Sequence, residues 1–439
     1  MKKTLMTAAI ALLWSSAAFS AGFALGEGSA RASSMGNAVV AQAYSAETMF
    51  YNPAGIGFLE GTHFNATLNL IQPKAKFVRA NFQGANVDDT IYEAQDQTFP
   101  PVGLYASHRL NDKLALGLSF STPFGLGFAW DKDFPGRFIS RDVALQSFYI
   151  SPVVAFRAHE RLSIAAGLDV VISHVNLERH LLAFSTATNP GTEVGESQLE
   201  GNSGPNIGFT VSAMYQAERF NIGIAYRHEV QNDYEDADVT FTLYDTDFRG
   251  LVANSLTAGG TIGEASADMS EVTMNGQSAI TFPASINGGI YVKLADNFGV
   301  EADVLYTFWN VFDELDLEFD NPALNQTIPE EYEDAIQVRF GAHYDVTENF
   351  ILRAGYIYDE TPQPIQSVSP LLPDDTRNDY TFGIGYKRGN MTYDAGFMYV
   401  DTGDRSTVEN GVGQNDSGFD GTYSANATLF FFGIGYHLQ

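Results

Sequence analysis

The chain reads as all-β: a transmembrane antiparallel β-barrel of about 14 strands, with an N-terminal hatch folded inside the lumen as a plug. Three observations predict this. Apolar residues alternate at period two in segment after segment; tight turns and long connections alternate along the chain; and aromatic residues gather on the oily parity beside the tight turns. At 45% hydrophobic and 18% charged residues, the chain is oily enough for a core, yet its apolar residues form no helical stripes.

In chain order, residues 1–20 have the layout of a secretory signal peptide: Lys2 and Lys3, an uncharged run from Thr4 to Trp14, then small residues with a cut expected after Ser20. That run is shorter than the roughly 18 apolar residues a spanning helix requires, so any membrane crossing must be made by strands. Residues 21–61 follow, rich in Gly, Ala and Ser and without alternation. They include the apolar cluster Phe50, Tyr51, Ile56, Phe58 and Leu59 around the turn Asn52-Pro53-Ala54-Gly55. A disordered tail would lack such a cluster. A barrel of this strand number encloses a lumen wide enough to need filling or to form a pore, and 21–61 is expected inside it as the hatch.

The wall occupies 62–439, with strands expected near 62–72, 100–110, 114–124, 143–158, 162–179, 205–217, 220–231, 277–294, 298–319, 335–345, 349–360, 378–388, 391–402 and 424–438. Leu114, Leu116, Leu118 and Phe120 show the pattern, set against Ala115, Gly117, Ser119 and Ser121. In the ninth segment Val300, Ala302 and Val304 face away from Glu301 and Asp303. Short turns such as Asn111-Asp112-Lys113, Glu218-Arg219 and Gly389-Asn390 mark the periplasmic rim. Long loops are expected opposite, near 73–99, 125–142, 180–204, 232–276, 320–334, 361–377 and 403–423. Phe156, Tyr215, Phe220, Phe298, Tyr344, Phe350, Tyr386 and Tyr436 share the short-turn rim and the oily parity, as an interfacial girdle would.

A formal net charge of −29 argues against nucleic acid, which requires a basic surface. No cysteine is present, so neither disulfides nor thiolate metal sites are available. His108, His174 and His343 cannot be placed at one height with a serine, so no catalytic residues are expected. The acids from Tyr234 to Asp238 lack calcium-loop spacing, and neither metal nor cofactor is expected.

Six large apolar residues, Phe124, Leu126, Phe128, Trp130, Phe134 and Phe138, crowd one loop region, joined by Leu181, Leu182 and Phe184. Such a patch marks either a binding groove or a self-packed loop core. Pro123 removes a ladder donor and Gly125 weakens pairing, so the third strand should bend or end there. Arg339 and Arg353 lie on lumen-facing parity, where they would neutralise acids such as Glu301 and Asp303.

Several stretches resemble the FadL family of outer-membrane transporters for long-chain fatty acids and other hydrophobic compounds. They are Ala21-Gly22-Phe23, the NPAG of Asn52 to Gly55, Thr122 to Phe138, Phe282 to Trp309 and Leu352 to Arg377. The resemblance implies passive uptake without an energy source. A hydrophobic ligand leaves lipopolysaccharide, binds a groove among the outer loops, moves to a lumenal pocket, and exits sideways into the outer membrane at a kink in the third strand. It makes Phe23 the hatch tip that reaches the pocket, and Asn52, Pro53 and Ala54 the hatch motif. Pro123 and Gly125 become the lateral opening, and Arg179 the basic residue at the end of the fifth strand, where a guanidinium can hold a carboxylate. The protein is expected as a monomer among outer-membrane lipids. Aromatic or alkane hydrocarbons as cargo, and a general porin, an adhesin or a barrel enzyme as other classes, stay open at this point.

Overall fold

A computed structural model of the chain describes residues 22–80, 90–183, 191–245, 249–257 and 269–438. The signal peptide expected over 1–20, and Phe184, lie outside them. Fourteen antiparallel strands form a closed wall: β1 (Thr62–Arg79), β2 (Val102–Arg109), β3 (Leu114–Ser121), β4 (Asp142–His159), β5 (Leu162–Ala183), β6 (Thr192–Gln216), β7 (Phe220–Arg227), β8 (Ser285–Ala295), β9 (Phe298–Thr307), β10 (Ala335–Asp345), β11 (Phe350–Asp359), β12 (Arg377–Arg388), β13 (Met391–Ser406) and β14 (Gly421–Leu438). Each pairs with its chain neighbours, and β1 closes on β14 from Thr62↔Leu438 to Arg79↔Gly421. Closure leaves no sheet edge in lipid, the condition for crossing a bilayer with strands.

Alternation sorts the side chains. Phe64, Leu104, Leu118, Ile207, Ile224, Val304 and Phe432 point out to where lipid would lie. Asn65, Ser107, Asp169, Asn287, Glu301 and Arg339 are buried inward. The girdle residues Phe156, Tyr215, Tyr344, Tyr386 and Tyr436 all face outward beside the short turns.

Above the membrane band the connections contain more strand than expected. The stretch near 232–276 contains Val230–Leu243 and Glu271–Phe282, a hairpin that stands on β6 to β8, with a helix, Arg249–Thr257, between its arms. Much of 180–204 belongs to β5 and β6. These extensions rise into water, so the alternation inverts: Val239, Phe241, Leu243, Val272 and Met274 are buried inward while polar residues between them face solvent. The ninth segment is interrupted instead of running from 298 to 319: β9 ends at Thr307, a turn of 3-10 helix covers Trp309–Val311, and Glu314–Phe319 pairs with Gln326–Pro329.

Residues 22–61 fill the lumen. Ser29 caps a one-turn helix, Ala30–Ser33, and Asn52 caps the 3-10 turn Pro53–Phe58, where proline's missing N–H is no loss. Met49, Ala54, Ile56 and Leu59 pack against Tyr105, Ala115, Val153, Ala155 and Met214 of the wall. Two wall glycines permit the fit: any Cβ at Gly223 would meet the Val40 carbonyl, and one at Gly355 would meet the Met35–Gly36 backbone.

Candidate functional site

The lower hatch is held by lumen side chains aimed at its backbone. Asp303 Oδ2 accepts the Val39 and Val40 N–H groups at 2.8 and 3.0 Å, and Glu301 Oε1 accepts that of Ala41 at 2.6 Å. Glu301 also takes the Gln42 amide at 2.7 Å. Arg353 does pair with a lumenal acid, Asp394, at 2.6 Å, and Arg339 lies opposite Asp303 in the β9–β10 ladder; beyond that expectation, Asp303 and Glu301 also accept from the backbone of the plug. Asn52 bonds both partners at once, its amide donating to Val40 of the hatch (2.8 Å) and to Ala213 of β6 (3.1 Å).

The upper end is held differently. Phe23 is 2% exposed and sits in a box of Phe124, Phe282, Trp309 and Phe312, with ring centroids 6.1, 6.1, 4.8 and 5.2 Å away. Trp309 also lies over Gly22, whose N–H donates to Asp374 at 3.0 Å. Burial raises the Asp374 carboxyl to about 6.

Beside this box the wall is broken. β3 stops at Ser121 and its line resumes over Gly125–Ala129, with Thr122, Pro123 and Phe124 between. Toward β2, pairing ends at Leu104↔Phe120. The edge left free is taken by the hatch tip: Leu25 N–H donates to Pro123 O at 2.7 Å, Gly125 N–H donates to Phe23 O at 2.9 Å, and Ala24 bridges Phe124. Ser147 of β4 supports the other side, accepting from Phe124 N–H at 3.0 Å and donating to its carbonyl at 2.6 Å.

Two cavities lie on either side of the tip. The inner one, about 90 Å³, is lined by Leu25, Tyr51, Pro123, Phe124, Arg227 and Arg339 among others. The Arg227 guanidinium lies over the Phe50 and Tyr149 rings and donates to Phe50 O at 3.1 Å, while its Nε has no partner. The outer cleft, about 170 Å³, lies between β5, β6, the raised hairpin and the Glu314–Phe319 strand. Its walls include Leu181, Leu199, Phe241, Leu256, Leu315 and Leu317, with Arg179 among them. Burial lowers the Arg179 pKa, and among the described residues no carboxylate offsets it.

The residues singled out in sequence divide into five groups. Phe23, Phe124, Pro123 and Gly125 meet at the break. Arg179 and Leu181 line the cleft. Leu126, Phe128 and Trp130 are buried in the loop core, Trp130 stacking on Phe134 at 4.2 Å and donating its indole N–H to Pro370 O at 3.0 Å. Leu182 follows a shift in register and is exposed, and Phe138 packs under Arg137, so neither lines the cleft. Asn52, Pro53 and Ala54 sit lower, in the hatch turn. Sequence reading missed Phe282, Trp309, Phe312, Ser147, Asp374 and Arg227. Trp309 and Phe312 could have been noticed as aromatics just past the oily alternation of β9; Ser147 and Asp374 carry no local signal. His108, His174 and His343 have separate partners, Thr62, Asn202 and Tyr291.

Comparison with known proteins agrees with this architecture. The chain is 25% identical over 423 residues to the long-chain fatty acid transport protein of Escherichia coli O6:H1, covering 91% of this chain and 90% of that one. It is 25% identical over 321 residues to outer membrane protein P1 of Haemophilus influenzae, covering 68% of this chain and 65% of that one. A crystal structure of a Pseudomonas aeruginosa FadL homologue superposes with a TM-score of 0.77 at 20% identity, over 95% of this chain and all of that one. The family model described as outer membrane protein transport protein (OMPP1/FadL/TodX) matches residues 11–438, and the chain belongs to this family of outer-membrane transport proteins of Gram-negative bacteria, which are channels and not enzymes.

Proposed function

We propose that this chain takes up long-chain fatty acids, or compounds of similar shape and polarity, without an energy source. The carrying observation is Arg179: a half-buried guanidinium, with no carboxylate paired to it among the described residues, set among leucines in an apolar cleft. A carboxylate supplies the missing charge with paired hydrogen bonds, while the acyl chain covers Leu181, Leu199 and Leu315. From there the ligand moves inward past Phe23 to the inner cavity, where Arg227 offers a second cation. Displacing the tip removes two backbone bonds and one aromatic contact from the edge of β3, opening the wall at Pro123 toward lipid.

An aromatic or alkane hydrocarbon gains the apolar contacts but has no use for Arg179. The test is equilibrium binding of oleate and of a matched alkane to the purified protein and to Arg179→Ala. We expect oleate affinity to fall roughly tenfold to a hundredfold, as for loss of a charged hydrogen bond, with the alkane unchanged. Equal oleate affinity in both proteins would sink the carboxylate role and favour the hydrocarbon reading.

A further inference from the structure

On the periplasmic side of the hatch lies a third cavity, about 270 Å³, far from the apolar route. It is bounded by hatch residues Arg31, Tyr44 and Glu47 and by wall residues Arg353, Lys387 and Asp394, in the lower parts of β11, β12 and β13. Its chemistry is the reverse of the rest of the chain: three cations converge in a protein whose formal net charge is −29.

The acids present are already engaged. Asp394 accepts from Arg353, and Glu47 accepts from the Ser29, Ser45 and Thr67 hydroxyls at 3.0, 3.1 and 2.8 Å. Arg31 donates one bond, to Gln42 at 3.2 Å, and rests over the Tyr44 ring at 4.6 Å. It is close enough to Arg353 and Lys387 to repel both. Among the described residues neither Arg31 nor Lys387 is in an ion pair. The Nε atoms of Arg31 and of Arg353, itself 3% exposed, are buried without an acceptor. Water could accept from these nitrogens, but it would not offset the excess of three cations over the two carboxylates that line the cavity.

We infer that this cavity binds a small oxyanion such as phosphate, entering from the periplasm and joining the hatch (Arg31) to the wall (Arg353, Lys387). Guanidinium nitrogens present donors in the fork that matches an oxyanion's oxygens, and Lys387 adds a point charge at the mouth. The bound anion favours the seated hatch by mass action, because it touches both parts at once. The site is independent of which hydrophobic compound crosses the membrane.

Calorimetric titration of inorganic phosphate into the detergent-solubilised protein, in a buffer free of other oxyanions, tests this. Saturable one-site binding is expected, weakened roughly tenfold to a hundredfold in Arg31→Gln and in Lys387→Gln. Lys387 sits on the exposed rim without a bonded partner, so its variant keeps the fold even if Arg31→Gln loosens the hatch. Phosphate should also slow amide exchange over residues 30–47. Absence of saturable binding, leaving the cavity to water, overturns the inference, as does binding of equal strength in wild type and Lys387→Gln.

Discussion

The two ends of the hatch are fastened by opposite chemistry. Below, from Val39 to Asn52, backbone groups are bound one by one by Asp303, Glu301 and Asn52. Above, Phe23 is held by four aromatic neighbours and by two hydrogen bonds to the broken edge of β3. Directional bonds to buried donors lose strength steeply on displacement, and no oily molecule can replace them. Aromatic packing is indifferent to which apolar surface supplies the contact. Under the proposed route, the lower half serves as the fixed seal and the upper half as the part with which a hydrophobic ligand competes.

The sharpest way to break this contrast is Asp303→Ala. It strands two buried N–H groups and should cost about 2–6 kcal/mol, read as a lower melting temperature and as small-ion conductance in a planar bilayer. A silent, fully stable variant would mean the hatch does not depend on its bonds to the wall.

A second effect belongs to the outer loops. Burial alone raises the Glu330 carboxyl to about 8 from its ordinary 4.5. The folded state thus favours the protonated form, so this contribution is complete below about pH 4.5, shrinks as pH rises, and is gone above about pH 8. Proteolysis near residues 320–334 should be faster at pH 9 than at pH 6, by an amount on the order of a few kcal/mol in local opening, and Glu330→Gln should flatten the dependence.

Asn52→Ala removes a cap and two bridging donors, for an expected loss of about 1–3 kcal/mol by thermal unfolding. Phe23→Ala should be the mildest in global terms, under about 1 kcal/mol, because the tip can undock while the wall stays closed. Its signature is a red-shifted Trp309 fluorescence and weaker ligand discrimination. A global loss as large as that of Asp303→Ala would erase the distinction between the two ends.

How much of this was legible in the sequence follows the same division. Strands in the membrane band could be read because lipid outside and polar lumen inside impose period two, as Leu116, Leu118 and Phe120 show. Once the strands rise into water the alternation inverts, oily inward and polar outward, and the acids Glu235 and Asp236 interrupt it where the ladder shifts register, which is why the paired hairpin read as a loop. Position on the lumen face was visible for Glu301 and Asp303, but their partners were not: an acceptor facing inward does not say whether a guanidinium or a backbone N–H will meet it. Phe128 and Trp130 resembled groove residues because hydrophobicity does not distinguish a surface waiting for a ligand from one already covered, as Trp130 is by Phe134 and Phe128 by Trp130. Arg179 was placed through family resemblance, and the leucines around it come from well-separated parts of the chain, from Leu177 to Leu371, that no local pattern connects.

The contacts that seat the hatch have a further consequence for how the molecule can be assembled. Val39 and Asp303 are 264 residues apart, and Gly22 and Asp374 are 352 apart. Residues made early must wait for most of the wall before they find their partners, and contacts of such sequence separation are slow to form. Yet once β14 has zipped onto β1 the lumen is a bottle already corked, with the plug tied to the rim through Gly61. A productive seam between β1 and β14 therefore requires that residues 22–61 already lie on its inner side. Nascent chains that close too soon would be stranded as empty, leaky rings.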